Sequence, residues 1–113
     1  MRTYLRSDSH LFCGHWNGSP IEIGFLPTRL RQVPDSEVLH YHDYYEYYVM
    51  LEGSAELEVE GQSVPLRADS IVMVEPGERH RVRFVDPELG ARWVIIKQRS
   101  EPNSKHVAPG INR

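Results

Sequence analysis

From about residue 19 onward, short runs of alternating apolar and polar residues recur between Gly, Pro, Asp and Asn, at the spacing of an antiparallel sandwich or barrel. No stretch sustains the i, i+3, i+4, i+7 repeat of an amphipathic helix. IEIGF, 21–25, places Ile21, Ile23 and Phe25 on one face, with Gly24 and Pro27 marking its end. LRQV, 30–33, leads through the turn-like PDSE into the stretch 40–53, in which the aromatic and β-branched residues of Tyr45–Leu51 predict a largely buried strand stopping at Gly53. SAELEVEGQSVPLR is a hairpin: Ala55, Leu57 and Val59 face in, Glu56, Glu58 and Glu60 face out, and Gly61 with Gln62 makes the turn. SIVMV, 70–74, predicts another buried strand, broken at Pro76 and Gly77. In HRVRFV, 80–85, alternation turns His80, Val82 and Phe84 inward and Arg81 and Arg83 outward. ARWVIIK, 91–97, reads as the last core strand, and the polar tail from Gln98 reads as loosely held.

Eight or nine short strands without a helix predict an all-β domain, a barrel or jelly roll. A chain of 113 residues has the length of one domain, with a core over about 20–97, an N-terminal arm over 1–19 and a tail over 98–113. Thirteen Lys and Arg against sixteen Asp and Glu leave a net charge of −3, scattered along the chain. Neither nucleic acid nor an anionic membrane is therefore an expected partner. One cysteine, Cys13, excludes an intramolecular disulfide framework and a multi-Cys zinc site. Together with the lack of a leader-like or membrane-length apolar run, it places the expectation in the cytoplasm.

The stretch HYHDYYEYYVMLEG, 40–53, adds two histidines, a glutamate and five tyrosines to this β pattern. His40 and His42, two residues apart, point to the same face of a strand and can present their imidazoles side by side. Glu46 can return on the adjacent strand after a short turn, and His80 arrives on the core-facing side of a distant hairpin. An inward carboxylate with three inward imidazoles is costly unless a cation or hydrogen bonds compensate it. Such a set suits one divalent transition metal, Fe(II), Mn(II), Ni(II), Cu(II) or Zn(II), and leaves positions for water or substrate.

HYHDYYEYYVMLEG fits the pattern HxHxxxExxxxxxG at His40, His42, Glu46 and Gly53, and PGERH supplies Pro76, Gly77 and His80. In these motifs the chain resembles a small single-domain cupin. The resemblance implies a double-stranded β-helix, or jelly roll, holding a metal in its mouth through His40, His42, Glu46 and His80, and a homodimer. The chain departs from the family pattern at turns: Pro34 stands where a glycine often opens the first motif, Ala68-Asp69 replaces glycine-aspartate, and Phe84 occupies the place of the closing Asn.

Strand parity sends Tyr48 and Met50 inward with Glu46. Tyr48 is the candidate catalytic side chain, as a proton donor, a general base or a hydrogen bond to a substrate oxygen; Glu-x-Tyr after the histidine pair is also a feature of cupin lyases that cleave dimethylsulfoniopropionate, where the tyrosine is the base. Tyr44, Met50, Arg31 and Phe84 are candidate substrate-binding residues, Arg31 or Arg29 as a partner for a substrate carboxylate. His10, His15 and His106 lack ligand spacing and read as surface residues. The expectation for function is a metal-dependent oxygenase, isomerase or cyclase, or lyase acting on a small molecule in the barrel. The alternative is a non-catalytic cupin that binds or senses a small carboxylate or sugar.

Overall fold

In a computed structural model of the protein, which describes residues 1–6, 10–28, 38–86, 88, 90–102 and 105–107, the described residues form nine strands and one three-residue 3-10 helix, His15–Asn17. The strands are β1 (Leu11–Cys13), β2 (Glu22–Thr28), β3 (His40–Tyr41), β4 (Glu46–Val59), β5 (Gln62–Arg67), β6 (Ile71–Val74), β7 (His80–Val85), β8 (Ala91–Lys97) and β9 (His106–Val107). They build two antiparallel sheets that share β4. One sheet runs β1-β2-β8-β4-β6 and the other β5-β4-β7-β3-β9. This is the predicted all-β jelly roll. No helix among the described residues is long and apolar enough to cross a membrane.

Gly53 does not stop a strand. β4 is one strand of 14 residues whose first half pairs with β6 and β8 and whose second half pairs with β5 and β7. The change of sheet needs two devices. Leu51 has no partner in β8, because Met50 pairs with Trp93 and Glu52 with Arg92, and this bulge shifts the strand's parity. Gly53 then takes φ 86, in the left-handed region that favours glycine. Consequently Glu46, Tyr48 and Met50 face inward before the corner and Ala55 and Leu57 after it.

Between those inner faces sits the core of Tyr48, Met50, Ala55, Leu57, Leu66, Val74, Val85, Ala91 and Trp93. Fully burying one of the larger apolar side chains contributes roughly 1.5–3 kcal/mol, so this cluster is the main force closing one sheet on the other.

Several local expectations change. β2 continues past Gly24 to Thr28, because its backbone pairs with β8 along its whole length. Val59 pairs with Gln62, so the hairpin turn is Glu60-Gly61, one residue earlier than expected, with both residues at positive φ (49 and 81) as the tightest hairpin turn requires. β6 is an edge strand and only half buried: Ile71 and Met73 are 62% and 45% exposed. The tail is in part tied down, since β9 pairs with β3 through His40↔Val107 and Tyr41↔His106. The predicted strand over 30–33 lies outside the described residues.

Candidate metal centre

The three histidines come from one sheet and the glutamate from the other. His40 heads the two-residue strand β3 and pairs directly with His80, the first residue of β7, and His42 follows β3. Glu46 is not on the strand adjacent to the histidine pair, because β7 separates β3 from β4. It stands instead in the half of β4 that pairs with β6 and β8, and it reaches the histidines across the space between the sheets. All four side chains are buried, at 5%, 3%, 3% and 0% exposure for His40, His42, Glu46 and His80.

The histidine ligand atoms lie within 4.8 Å of one another. Two nitrogens held about 2.1 Å from one ion at tetrahedral or octahedral angles stand about 3.0–3.4 Å apart, so binding an ion would draw the three rings closer together. The Glu46 Oε1 atom is 2.8 Å from His80 Nε2 and 3.7 Å from His42 Nε2. The backbone sets the tautomers. His40 Nδ1 donates to the Val38 carbonyl at 2.8 Å and His80 Nδ1 to the Glu78 carbonyl at 2.9 Å, because a carbonyl only accepts. Each bond turns Nε2 toward the centre and fixes the ring, as outer partners of metal-binding histidines do. His42 Nδ1 lies 3.2 Å from the Tyr44 hydroxyl, and the two rings stack at 5.0 Å.

Protonation states also suit a cation. Burial pushes the His40 imidazole down to about 4; the charges of His80, Lys105 and His42 act the same way, and the hydrogen bond to Val38 opposes them. His40 is therefore neutral, with a free lone pair, at physiological pH. Burial alone would raise the Glu46 carboxyl, but the hydrogen bond from His80 and the charges of His80, His42 and Lys97 outweigh it and hold the carboxyl below its usual value. With His80 Nδ1 already donating, the 2.8 Å contact between Nε2 and Oε1 carries a proton. That proton is what keeps the buried carboxylate compensated, and a divalent cation would replace it. Three imidazoles and one carboxylate, buried and mutually oriented, thus fit a transition metal.

The other predicted site residues divide. Tyr48 is 3% exposed, and its hydroxyl donates to Glu46 Oε1 over 3.4 Å; its ring meets His80 edge-on at 6.2 Å. Tyr44 is buried against His42 and belongs to the centre. Met50 belongs to the apolar core, two residues beyond Tyr48. Phe84 does not face inward. Leu57 pairs with Val82 and Glu56 with Phe84, leaving Arg83 as an extra residue, and this bulge turns Val85 inward and Phe84 outward, where it is 47% exposed. Arg31 and Arg29 lie outside the described residues.

Two features were not legible in the motifs. His106 lies at the surface as expected, its side chain 40% exposed, but it is tied there: its Nε2 is 2.7 Å from Asp43 Oδ2, and its ring stacks on Tyr41 at 4.9 Å, so the tail braces the strand that carries His40. Lys97 pairs in register with both Glu46 and Glu22, and its Nζ is 3.1 Å from Glu22 Oε2. Burial would lower the Lys97 ammonium, but the carboxylates of Glu46 and Glu22 and the nearby Tyr44 raise it. A cavity of about 360 Å³ opens elsewhere, between the β5 and β6 edges, lined by Val59, Val64, Val72 and Met73 with Glu60, Glu75 and Glu78.

Residues 31–97 match the family described as the cupin domain. The chain belongs to this family. This cupin is 36% identical over 94 residues to a protein named polyketide synthase CurC from Streptomyces cyaneus, covering 79% of the chain and 61% of that protein's length. Among solved structures it resembles a cupin protein from Bacteroides fragilis, with TM-score 0.63 and 12% identity over 100% of this chain and 92% of that one. It also resembles the DMSP lyase DddQ from Ruegeria pomeroyi, with TM-score 0.62 and 18% identity over 86% of this chain and 47% of that one. At these identities the two structures establish a shared fold.

Proposed function

We propose that this cupin binds one divalent transition metal through His40, His42, Glu46 and His80 and is an enzyme acting on a small organic molecule at that ion. The observation that carries the proposal is the convergence of three oriented imidazoles from one sheet on a buried carboxylate from the other. Bound there, such an ion supplies a Lewis acid for a substrate oxygen. Tyr48 provides a hydroxyl beside Glu46, placed to give or take a proton. Oxygenase, isomerase or cyclase, and lyase chemistry share these requirements. Similarity to the protein named polyketide synthase CurC favours a polyketide-type substrate rich in carbonyl oxygens, and with it the isomerase or cyclase class, where protons move next to a polarised carbonyl.

Turnover of small poly-carbonyl compounds by the metal-loaded protein tests the proposal, with Tyr48→Phe as the informative variant. The expected result is a fall in kcat of about 100-fold or more with metal content unchanged. Tight ligand binding without turnover in wild type would instead favour the non-catalytic, sensing alternative, and full activity in the Phe variant would return Tyr48 to packing.

We further propose a homodimer formed through the outer face of the β1-β2-β8-β4-β6 sheet. The cross-strand rows Ile71-Val49-Val94-Phe25 and Met73-Tyr47-Ile96-Ile23 make this face apolar over four strands, and such faces mark association surfaces. Light scattering should give twice the chain mass for wild type and the monomer mass for Ile71→Glu combined with Met73→Glu; a monomeric wild type at micromolar concentration overturns the proposal.

A further inference from the structure

The row Glu22, Lys97, Glu46 crosses three neighbouring strands at one level, because Lys97 is the register partner of Glu22 in β2 and of Glu46 in β4. Directly opposed residues share a face, so all three side chains lie on the inner face with Glu46. Lys97 and Glu22 are largely covered, their side chains 23% and 16% exposed. A partly buried ion pair is a weak device for stability, since apolar residues of similar size would hold the strands at least as well. Its position is better explained by charge. The ammonium has three donors and no acceptor; it contacts Glu22, which is no part of the metal set, at 3.1 Å, and Lys97 stands in register between Glu22 and Glu46, the carboxylate that would ligate the ion.

We propose that Lys97 anchors the negatively charged oxygen of the substrate, a carboxylate or an enolate, beside the metal, and that Glu22 holds Lys97 and moderates its charge. This deepens the functional reading above and rests on it. It assigns the substrate class as small anions or compounds that become anionic at oxygen, and it makes Lys97 and Glu22 determinants of specificity. When an ion occupies the centre, its charge adds to that of Lys97, so one side of the space between the sheets becomes a cationic cradle.

The test uses the full chain loaded with Co(II), whose visible absorption reports the metal, titrated with acetate. Lys97→Met should retain Co(II) and raise the acetate Kd about tenfold or more, whereas Lys97→Arg should stay within about threefold of wild type. Glu22→Gln should shift the Kd in the opposite direction, tightening acetate a few-fold by removing a competing negative charge. A purely structural role for the pair would move both variants the same way. Co(II)-loaded Lys97→Met that binds acetate as wild type does, or Glu22→Gln that weakens binding as Lys97→Met does, overturns the proposal with the metal centre standing. Wild type that takes up no Co(II) overturns the metal centre and this proposal together, and the missing absorption tells that failure apart.

Discussion

His80→Ala should be the most damaging single change at the metal centre, in the presence of metal and in its absence. With metal, it removes one of the four proposed donors; loss of an outer partner alone typically costs 10- to 100-fold in affinity, so loss of a ligand should weaken binding by more than ~100-fold. Without metal, it removes the group 2.8 Å from Glu46 that carries the compensating proton. Breaking a buried pair by deleting one partner costs about 3–5 kcal/mol, so the metal-free variant should unfold at clearly lower denaturant than metal-free wild type. Chelator competition checks the first effect and urea titration the second. Unchanged metal affinity in a folded His80→Ala protein would remove His80 from the ligand set.

Gly53→Val should cost roughly 3 kcal/mol or more and lower the yield of folded protein. The residue holds φ 86, which a β-branched side chain adopts only at a cost of about 1–3 kcal/mol. Any Cβ there would also collide with the Gly90 carbonyl oxygen and lie 2.9 Å from the Gly90 carbonyl carbon. That neighbour is backbone, so it cannot turn aside as a flexible side chain would. Gly61 is the matched control: its φ is 81, but nothing lies within 4 Å of the added atom, and Gly61→Asn should cost less than about 1 kcal/mol. Equal denaturation midpoints for the two variants would show that Gly53 is not the corner on which β4 changes sheets. The position matters to the site because the corner sends one half of β4, with Glu46 and Tyr48, to one sheet and the other half to the sheet of the histidines.

The cluster of three buried histidines that could bind a metal was legible in the sequence for a local reason. His40 and His42 are two residues apart, and a period of two is the property of strands that sequence reveals most directly. Glu46 and Tyr48 obey the same parity. Alternation failed at bulges, which insert one residue without a sequence mark: Arg83 turns Phe84 outward, and Leu51 lets a single strand serve two sheets where Gly53 reads as a stop. Lys97 and Glu22 carry no local signal, because their meeting with Glu46 depends on strand register, a long-range quantity set by how the sheet closes. The pairing of β9 leaves no mark in the sequence because the strand is only two residues long, too short to carry a pattern, and is fixed by the Asp43–His106 contact and the Tyr41 stack.

Elemental analysis of the purified full-length chain, combined with thermal melts before and after chelation, tests the metal centre most directly. The proposal predicts about one divalent transition metal per chain and a melting temperature that falls on chelation and recovers on adding the metal back, since a ligand at 1,000 times its Kd stabilises the native state by about 4 kcal/mol. Metal content far below one per chain after loading, with no change in melting temperature and none in the His40, His42, Glu46 or His80 variants' metal response, would contradict it.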